Sequence, residues 1–407
     1  MDRSSPSGLH HIRETNLSRV LTLIHEAGSI SRVAIVRQTG LSATTVSGLV
    51  NILLESGFVR ESGTGESSGG RPPVLVEFNY ASRTLLGVDL GATHLTVVLM
   101  NLAGSVLARR FERFDVAHDP VGTTGRVLAL IAETTAEAGQ PFGSILGLGI
   151  TIPAPLEGEQ LDRASGLVLP AWEGYDLSAA LQAELSLPLF IDNDANAGAI
   201  AEKWWGQGQL YRNLAYVKLG VGVGSGLILG DEIYRGSGGT AGEIGHTTID
   251  VDGPPCRCGN RGCIESYVGA QALVAEVQRR RSERDLPHGQ GELTVEEIAA
   301  AAQAGDPICT QVVERAGAYL GTALANLINL LNPELIVLGG DLVAAERLLL
   351  GAVYASVRQH AMPKAIAESE IVVSRLGPDA VAIGAATIAM QNAFRPANLA
   401  RTLAPAV

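Results

Sequence analysis

Apolar residues first recur at helical spacing. Leu17, Val20, Leu21, Leu23 and Ile24 mark one face of a helix that Gly28 stops. Ser31 opens a short second helix with Val33, Ala34 and Val36 apolar. Gly40-Leu41-Ser42 makes a tight turn, and Ser42 caps a third helix, ATTVSGLVNILLESG, closed by Gly57. Helix, short turn with glycine, helix is the helix-turn-helix arrangement. Phe58-Val59-Arg60-Glu61 and Val74-Leu75-Val76-Glu77-Phe78 then alternate as two short strands around the segment SGTGESSGGRPP. Residues 1–80 therefore read as a winged helix-turn-helix.

From Leu85 the period changes. LLGVDLGATHLTVVLMNLAG reads as strand, Gly-rich turn, strand, and LAYVKLGVGVGSGLILGDEIYRG at 214–236 repeats that plan. Further apolar runs, ILGLGITIPAP (145–155), LFIDNDANAGAIAE (189–202) and LIVLGGDL (335–342), continue an α/β pattern. The charged tract RRRSERDLPHGQGELT, 279–294, reads as a solvated loop between helices.

At 407 residues the chain is long enough for about three domains. Aromatic residues are scarce, so its cores must be aliphatic and rich in alanine. The formal charge is −12, yet residues 1–80 hold seven arginines, no lysine and seven acidic residues. The acidity lies wholly in the remainder, which excludes non-specific nucleic-acid binding by the large part. Only the neutral N-terminal segment suits DNA. The opening MDRSSPSGLHHIRE lacks the apolar core of a secretion signal, and no apolar run approaches membrane-spanning length. A cytoplasmic protein with no membrane partner is expected.

Two constellations carry chemistry. In AGEIGHTTIDVDGPPCRCGNRGCIE, residues 241–265, Cys256, Cys258 and Cys263 fall within eight residues, with His246 upstream. Three thiolates and an imidazole make a closed tetrahedral set, the pattern of a structural zinc site. Cys309 reads as a small buried residue instead. In the third helix Ser42, Thr44, Thr45, Ser47 and Asn51 are short polar side chains able to reach base edges and phosphates. Arg71 in the GGRPP wing could enter a narrow minor groove.

The run C-R-C-G-N-R-G-C-I-E resembles the C-x-C-G-x-x-G-C-x-E signature of the ROK family (repressors, open reading frames and sugar kinases). The segments SISRVAIVRQTGLSATTVSGLV and GGRPPVLVEF are similar to the N-terminal domain of its regulators, so the resemblance runs from about residue 12 to residue 395. It implies an α/β fold: a winged helix-turn-helix over 1–80, then a two-lobed actin/hexokinase-like (ribonuclease H-like) domain. The first lobe spans 81–195 and is rejoined by a C-terminal helix at about 380–400. The second spans 196–380 and carries the zinc motif and an oligomerisation surface.

The resemblance also implies site roles. In Asn193-Asp194-Ala195-Asn196, Asp194 takes the position of the catalytic base and Asn193 that of a sugar partner. Glu243, His246 and Glu265 match further sugar contacts. Asp and Asn here also suit a plain helix cap. Asp89, Gly91 and Thr93, with Gly222 and Gly224, stand at two phosphate-binding turns. There Ala92, Val221 and Ser225 depart from the family's kinases, which implies a cradle unsuited to phosphoryl transfer. The expected protein is a non-enzymatic, sugar-responsive repressor of carbohydrate-utilisation genes. Its partners are operator DNA, a mono- or disaccharide effector, free or phosphorylated, and further copies of itself as a homodimer or homotetramer. The alternatives are an ATP-dependent sugar kinase carrying a DNA-binding domain, and an adaptor with a dead cleft.

Overall fold

The computed structural model describes residues 6–65, 72–154, 168–284 and 293–403. Arg71, the wing arginine, lies outside them.

The first unit contains α1 (Pro6–Ala27), β1 (Ser29–Ser31), α2 (Arg32–Thr39), α3 (Ala43–Glu55), β2 (Val59–Thr64) and β3 (Val74–Phe78). Ser31 and Ser42 cap α2 and α3 by accepting the backbone N–H groups of Ala34 and Thr45. Gly40 closes α2 at φ 70°, a conformation open to glycine at little cost. The periodic pattern did not predict β1. It is three residues long, too short for alternation to register, and it exists by pairing antiparallel to β3 in the order β1-β3-β2.

A second unit holds β4 (Thr84–Leu90), β5 (His94–Asn101), β6 (Val106–Arg113), α4 (Pro120–Glu137), β7 (Ile145–Ile152), α5 (Leu177–Gln182), β8 (Leu189–Asn193) and α6 (Asp194–Trp205). A third holds β9 (Leu214–Leu219), β10 (Val223–Leu229), β11 (Glu232–Ile233), α7 (Glu265–Val268), α8 (Ala270–Ser282), α9 (Val295–Gln303), α10 (Pro307–Leu331), β12 (Leu335–Gly340), α11 (Glu346–His360), α12 (Pro363–Ala367) and β13 (Glu370–Val373). The chain ends with α13 (Ala380–Ala393) and α14 (Pro396–Thr402). The two sheets share one plan. β6-β5-β4-β7-β8 and β11-β10-β9-β12-β13 each consist of an antiparallel three-strand meander extended by two parallel strands.

Small residues set how closely the layers approach. Both α6 (DANAGAIAEKWW) and α13 (AVAIGAATIAMQNA) are rich in alanine, and most of their residues are buried. A Cβ on Gly149 of β7 would stand 1.8 Å from the Ala385 carbonyl oxygen, and one on Gly384 would stand 1.9 Å from that of Ala197. Helix α13 therefore lies backbone to backbone on both β7 and α6. Gly384→Val is expected to cost about 1–3 kcal/mol by overpacking. Chemical denaturation should show a lower midpoint; an unchanged midpoint would contradict this packing.

The N-terminal unit is not a loose appendage. Its buried Leu17, Val20, Leu21, Ile24, Phe58 and Phe78 share one apolar core with Met390, Leu399 and Leu403. Phe58 and Phe394 meet edge to face at 5.6 Å. The arginine tract differs from its expected form. Arg279, Arg280 and Arg281 continue α8, paired with Glu276, Glu283 and Asp306. Those carboxylates offset the mutual repulsion of the three arginines within the helix.

Candidate ligand cleft and metal cluster

A cleft of about 760 Å³ is lined by the Gly91-Ala92-Thr93 turn after β4, the Gly220–Gly224 turn after β9, the head of α6, and the loop bearing Glu243 and His246. Asn193, Asp194, Glu243, His246 and Glu265, scattered over some seventy residues of sequence, thus face one space together with both turns.

Asn193 ends β8 and caps α6, its Oδ1 accepting the N–H groups of Ala195 and Asn196. Its Nδ2 donates to the Ala154 carbonyl at 3.2 Å. The capping role is therefore real, and it coexists with a place on the cleft wall. Asp194 is buried, with Oδ1 accepting its neighbour Ala195 N–H at 2.7 Å and Oδ2 accepting from Lys218 Nζ at 2.6 Å. Behind it Asp192 accepts both guanidinium nitrogens of Arg235. That pair fastens the segment leading to Glu243 against β8.

Glu265 is buried and already occupied. Arg257 grips it bidentately at 2.7 and 2.8 Å, and it accepts the Val223 N–H at 2.9 Å. Gly222 makes this possible, since a Cβ there would lie 2.7 Å from both Arg257 Nη2 and Glu265 Oε2. Glu265 thus braces the second turn. Glu243 is half-buried, and its carboxyl has no hydrogen-bond partner among the described residues. Burial, reinforced by the charges of Asp194 and Glu265, pushes it above the usual carboxylate range.

At the first turn Asp89 is buried beneath the cleft and accepts from Thr151 Oγ1 at 3.0 Å. Burial alone would raise its carboxyl. The Lys218 charge and the His94 contact outweigh that and hold it at about 2. Lys218 responds in kind: burial opposes its charge, but Asp194 and Asp89 raise its pKa above the lysine range. The His94 ring stands 3.3 Å from Asp89 and lies across Gly91.

Beside the cleft the ligand atoms of His246, Cys256, Cys258 and Cys263 lie within 4.8 Å of one another. His246 Nδ1 is 3.6 Å from Cys256 Sγ, and Cys258 Sγ is 3.7 Å from Cys263 Sγ. One imidazole nitrogen and three sulfurs at this spacing fit a single tetrahedral cation. Nδ1 turns to the sulfurs, and His246 also lines the cleft. Cys309 is buried elsewhere, in the core of the second lobe.

Residues 85–392 match the ROK family. The chain belongs to the ROK family. It is 32% identical over 382 residues to the xylose repressor of Caldicellulosiruptor bescii, covering 92% of this chain and 94% of that one. A crystal structure of a ROK family transcriptional regulator, a homologue of the E. coli MLC protein, superposes with a TM-score of 0.79 at 30% identity, covering 97% of this chain and 99% of that one. A ROK family glucokinase from Streptomyces griseus, crystallised with glucose and AMPPNP, gives a TM-score of 0.67 at 27% identity, covering 76% of this chain and 99% of that one. ROK regulators are thus matched along the whole chain, ROK kinases along three quarters of it.

Ser225 of the second turn is buried, and its hydroxyl donates to the Gly242 carbonyl at 2.7 Å, steadying the loop ahead of Glu243. Sequence reasoning missed Arg257, Arg235, Asp192 and Lys218. Lys218 carried a signal, being the single charge in the otherwise buried strand LAYVKL. The partners of the others are set by tertiary approach and had none. On the N-terminal unit Ser42, Thr44, Thr45 and Asn51 are exposed and Ser47 partly so, along α3. Ser42 and Thr45 also bond each other's hydroxyls at 2.8 Å, so part of their polarity serves the helix start.

Proposed function

We propose that this ROK protein is a DNA-binding repressor of carbohydrate-utilisation genes that senses a neutral sugar in the cleft and does not phosphorylate it. The observation that carries the reading is the pairing state of the cleft carboxylates. Asp194 and Glu265 are already engaged by Lys218 and Arg257, while Glu243 faces the same space without a donor. A buried acceptor of that kind calls for hydroxyl donors. The excess of carboxylates over cations at this corner disfavours a phosphate there. Asn193 Nδ2 and His246 Nε2 supply the complementary polar groups.

The cysteine and histidine cluster holds zinc in this reading. When bound, zinc would fix the loop from Pro255 to Glu265 and hence Arg257, Glu265 and the second turn. The face of α3 enters the major groove, with Ser42, Thr44, Thr45, Ser47 and Asn51 at the DNA and Arg71 at the wing. Pairing of two such units on a symmetric operator requires an even oligomer. Among the described residues no helix is long and apolar enough to cross a membrane.

The test is a thermal-shift screen of the full chain against common sugars. A binding sugar at a hundredfold its dissociation constant adds about 2.7 kcal/mol. Asp194→Asn removes the carboxylate that Lys218 bonds at 2.6 Å and is expected to weaken that sugar at least roughly tenfold, as loss of a charged hydrogen bond does. Wild-type protein that turns over ATP with any of these sugars at about 1–100 per second would overturn the non-kinase reading.

A further inference from the structure

Lys218 is placed where a lysine is costly. It sits on β9, whose other residues, from Leu214 to Leu219, are all buried, and it leads directly into the second turn. Its ammonium meets Asp194 Oδ2 at 2.6 Å, while the other oxygen of that carboxylate takes the Ala195 N–H. The same charge also acts on buried Asp89, whose own oxygens take Thr151 Oγ1 at 3.0 Å and the His94 ring at 3.3 Å. These three groups come from different parts of the fold: Asp89 from β4 in the first sheet, Asp194 from the head of α6, Lys218 from the second sheet. One cation therefore bonds one buried carboxylate, Asp194, and lies in the field of a second, Asp89. Two such carboxylates left alone repel and require a proton or a cation between them.

We propose that Lys218, bonded to Asp194, is an internal counter-cation that excludes a divalent metal ion from the floor of the cleft. The proposal rests on the reading of the cleft as a sugar sensor and gives that reading its physical cause. Magnesium binds through carboxylate and phosphate oxygens in a strict octahedron, and a fixed ammonium on one of those carboxylates both repels it and takes its ligand. A nucleotide triphosphate chain relies on such a metal for charge neutralisation, and an attacking hydroxyl relies on a carboxylate oxygen able to accept its proton. Lys218 withholds both. Ala92 and Val221 alter the edges of the turns, whereas Lys218 alters the centre.

The probe is Mn²⁺, titrated into full-length protein while free ion is followed by electron paramagnetic resonance. Wild type and Asp89→Asn should take up the same amount, because Lys218 already occupies Asp194. Lys218→Thr should bind one further Mn²⁺ per chain, lost again in Lys218→Thr/Asp89→Asn, whereas Lys218→Arg should behave as wild type. A Mn²⁺ site in wild type that disappears in Asp89→Asn overturns the proposal without recourse to any lysine variant. So does a folded Lys218→Thr, judged by circular dichroism, that gains no ion. Neither result touches the sugar-sensing reading, which stands or falls on the thermal shift and ATP turnover of wild type.

Discussion

Cys258→Ser is expected to strip the protein of its metal and silence the cleft while leaving the chain folded. Among the three cluster cysteines, Cys258 is the half-exposed one; Cys256 and Cys263 are buried, so substitution there would disturb packing as well. Removing a ligand should cost more than the roughly 10–100-fold lost when a ligand's hydrogen-bonded neighbour is removed. Zinc measured after gel filtration should fall from one per chain to about 0.1 or less. The consequence reaches the cleft through a short chain of bonds. Cys256 and Cys258 flank Arg257, Arg257 holds Glu265 at 2.7 and 2.8 Å, and Glu265 accepts the Val223 N–H of the second turn. His246 belongs to both the cluster and the cleft wall. The thermal shift produced by sugar should therefore vanish with the metal. Cys309→Ser, distant from the cluster, should keep both. Wild-type protein without zinc, or a Cys258→Ser variant with full zinc and full sugar response, would rule out this arrangement.

Gly48→Glu is expected to weaken operator binding at least about tenfold with no loss of stability. Gly48 is exposed on α3, in line with Thr44 and Asn51, and a Cβ there meets nothing within 4 Å. Glutamate is a better helix former than glycine by up to about 1 kcal/mol, so the free protein should hold or gain stability. On DNA the same side chain brings a carboxylate to the groove and its phosphates. Operator affinity should drop at least about tenfold, the scale of one badly wrong contact in a specific site. Zinc content and sugar response should not change. Deleting residues 1–80 would be a poorer experiment, because it would bare Met390, Phe394, Leu399 and Leu403, which share the N-terminal core. Operator affinity within about twofold of wild type would show that α3 does not enter the groove.

Periodicity and punctuation along the chain were sufficient for the local elements. Ser31, Gly40 and Ser42 act through neighbours two to four residues away, so the start and stop of α2 and α3 were legible from composition alone. The two Gly-rich turns were legible for the same reason. The His246, Cys256, Cys258 and Cys263 cluster was legible because its three cysteines are near neighbours and its donor set depends on residue type more than on exact placement. Pairings across the fold were not. Lys218 with Asp194, Arg235 with Asp192 and Arg257 with Glu265 depend on which strands the sheets set side by side, and a charged residue in sequence does not state its partner. The bond from Ser225 to the Gly242 carbonyl was hidden for that reason: a serine in a glycine turn does not state that another loop will approach it. The union of the N-terminal unit with α13 and α14 is the furthest case. It joins residues some 370 positions apart, and it exists because their apolar faces, each incomplete alone, leave less surface in water when packed together.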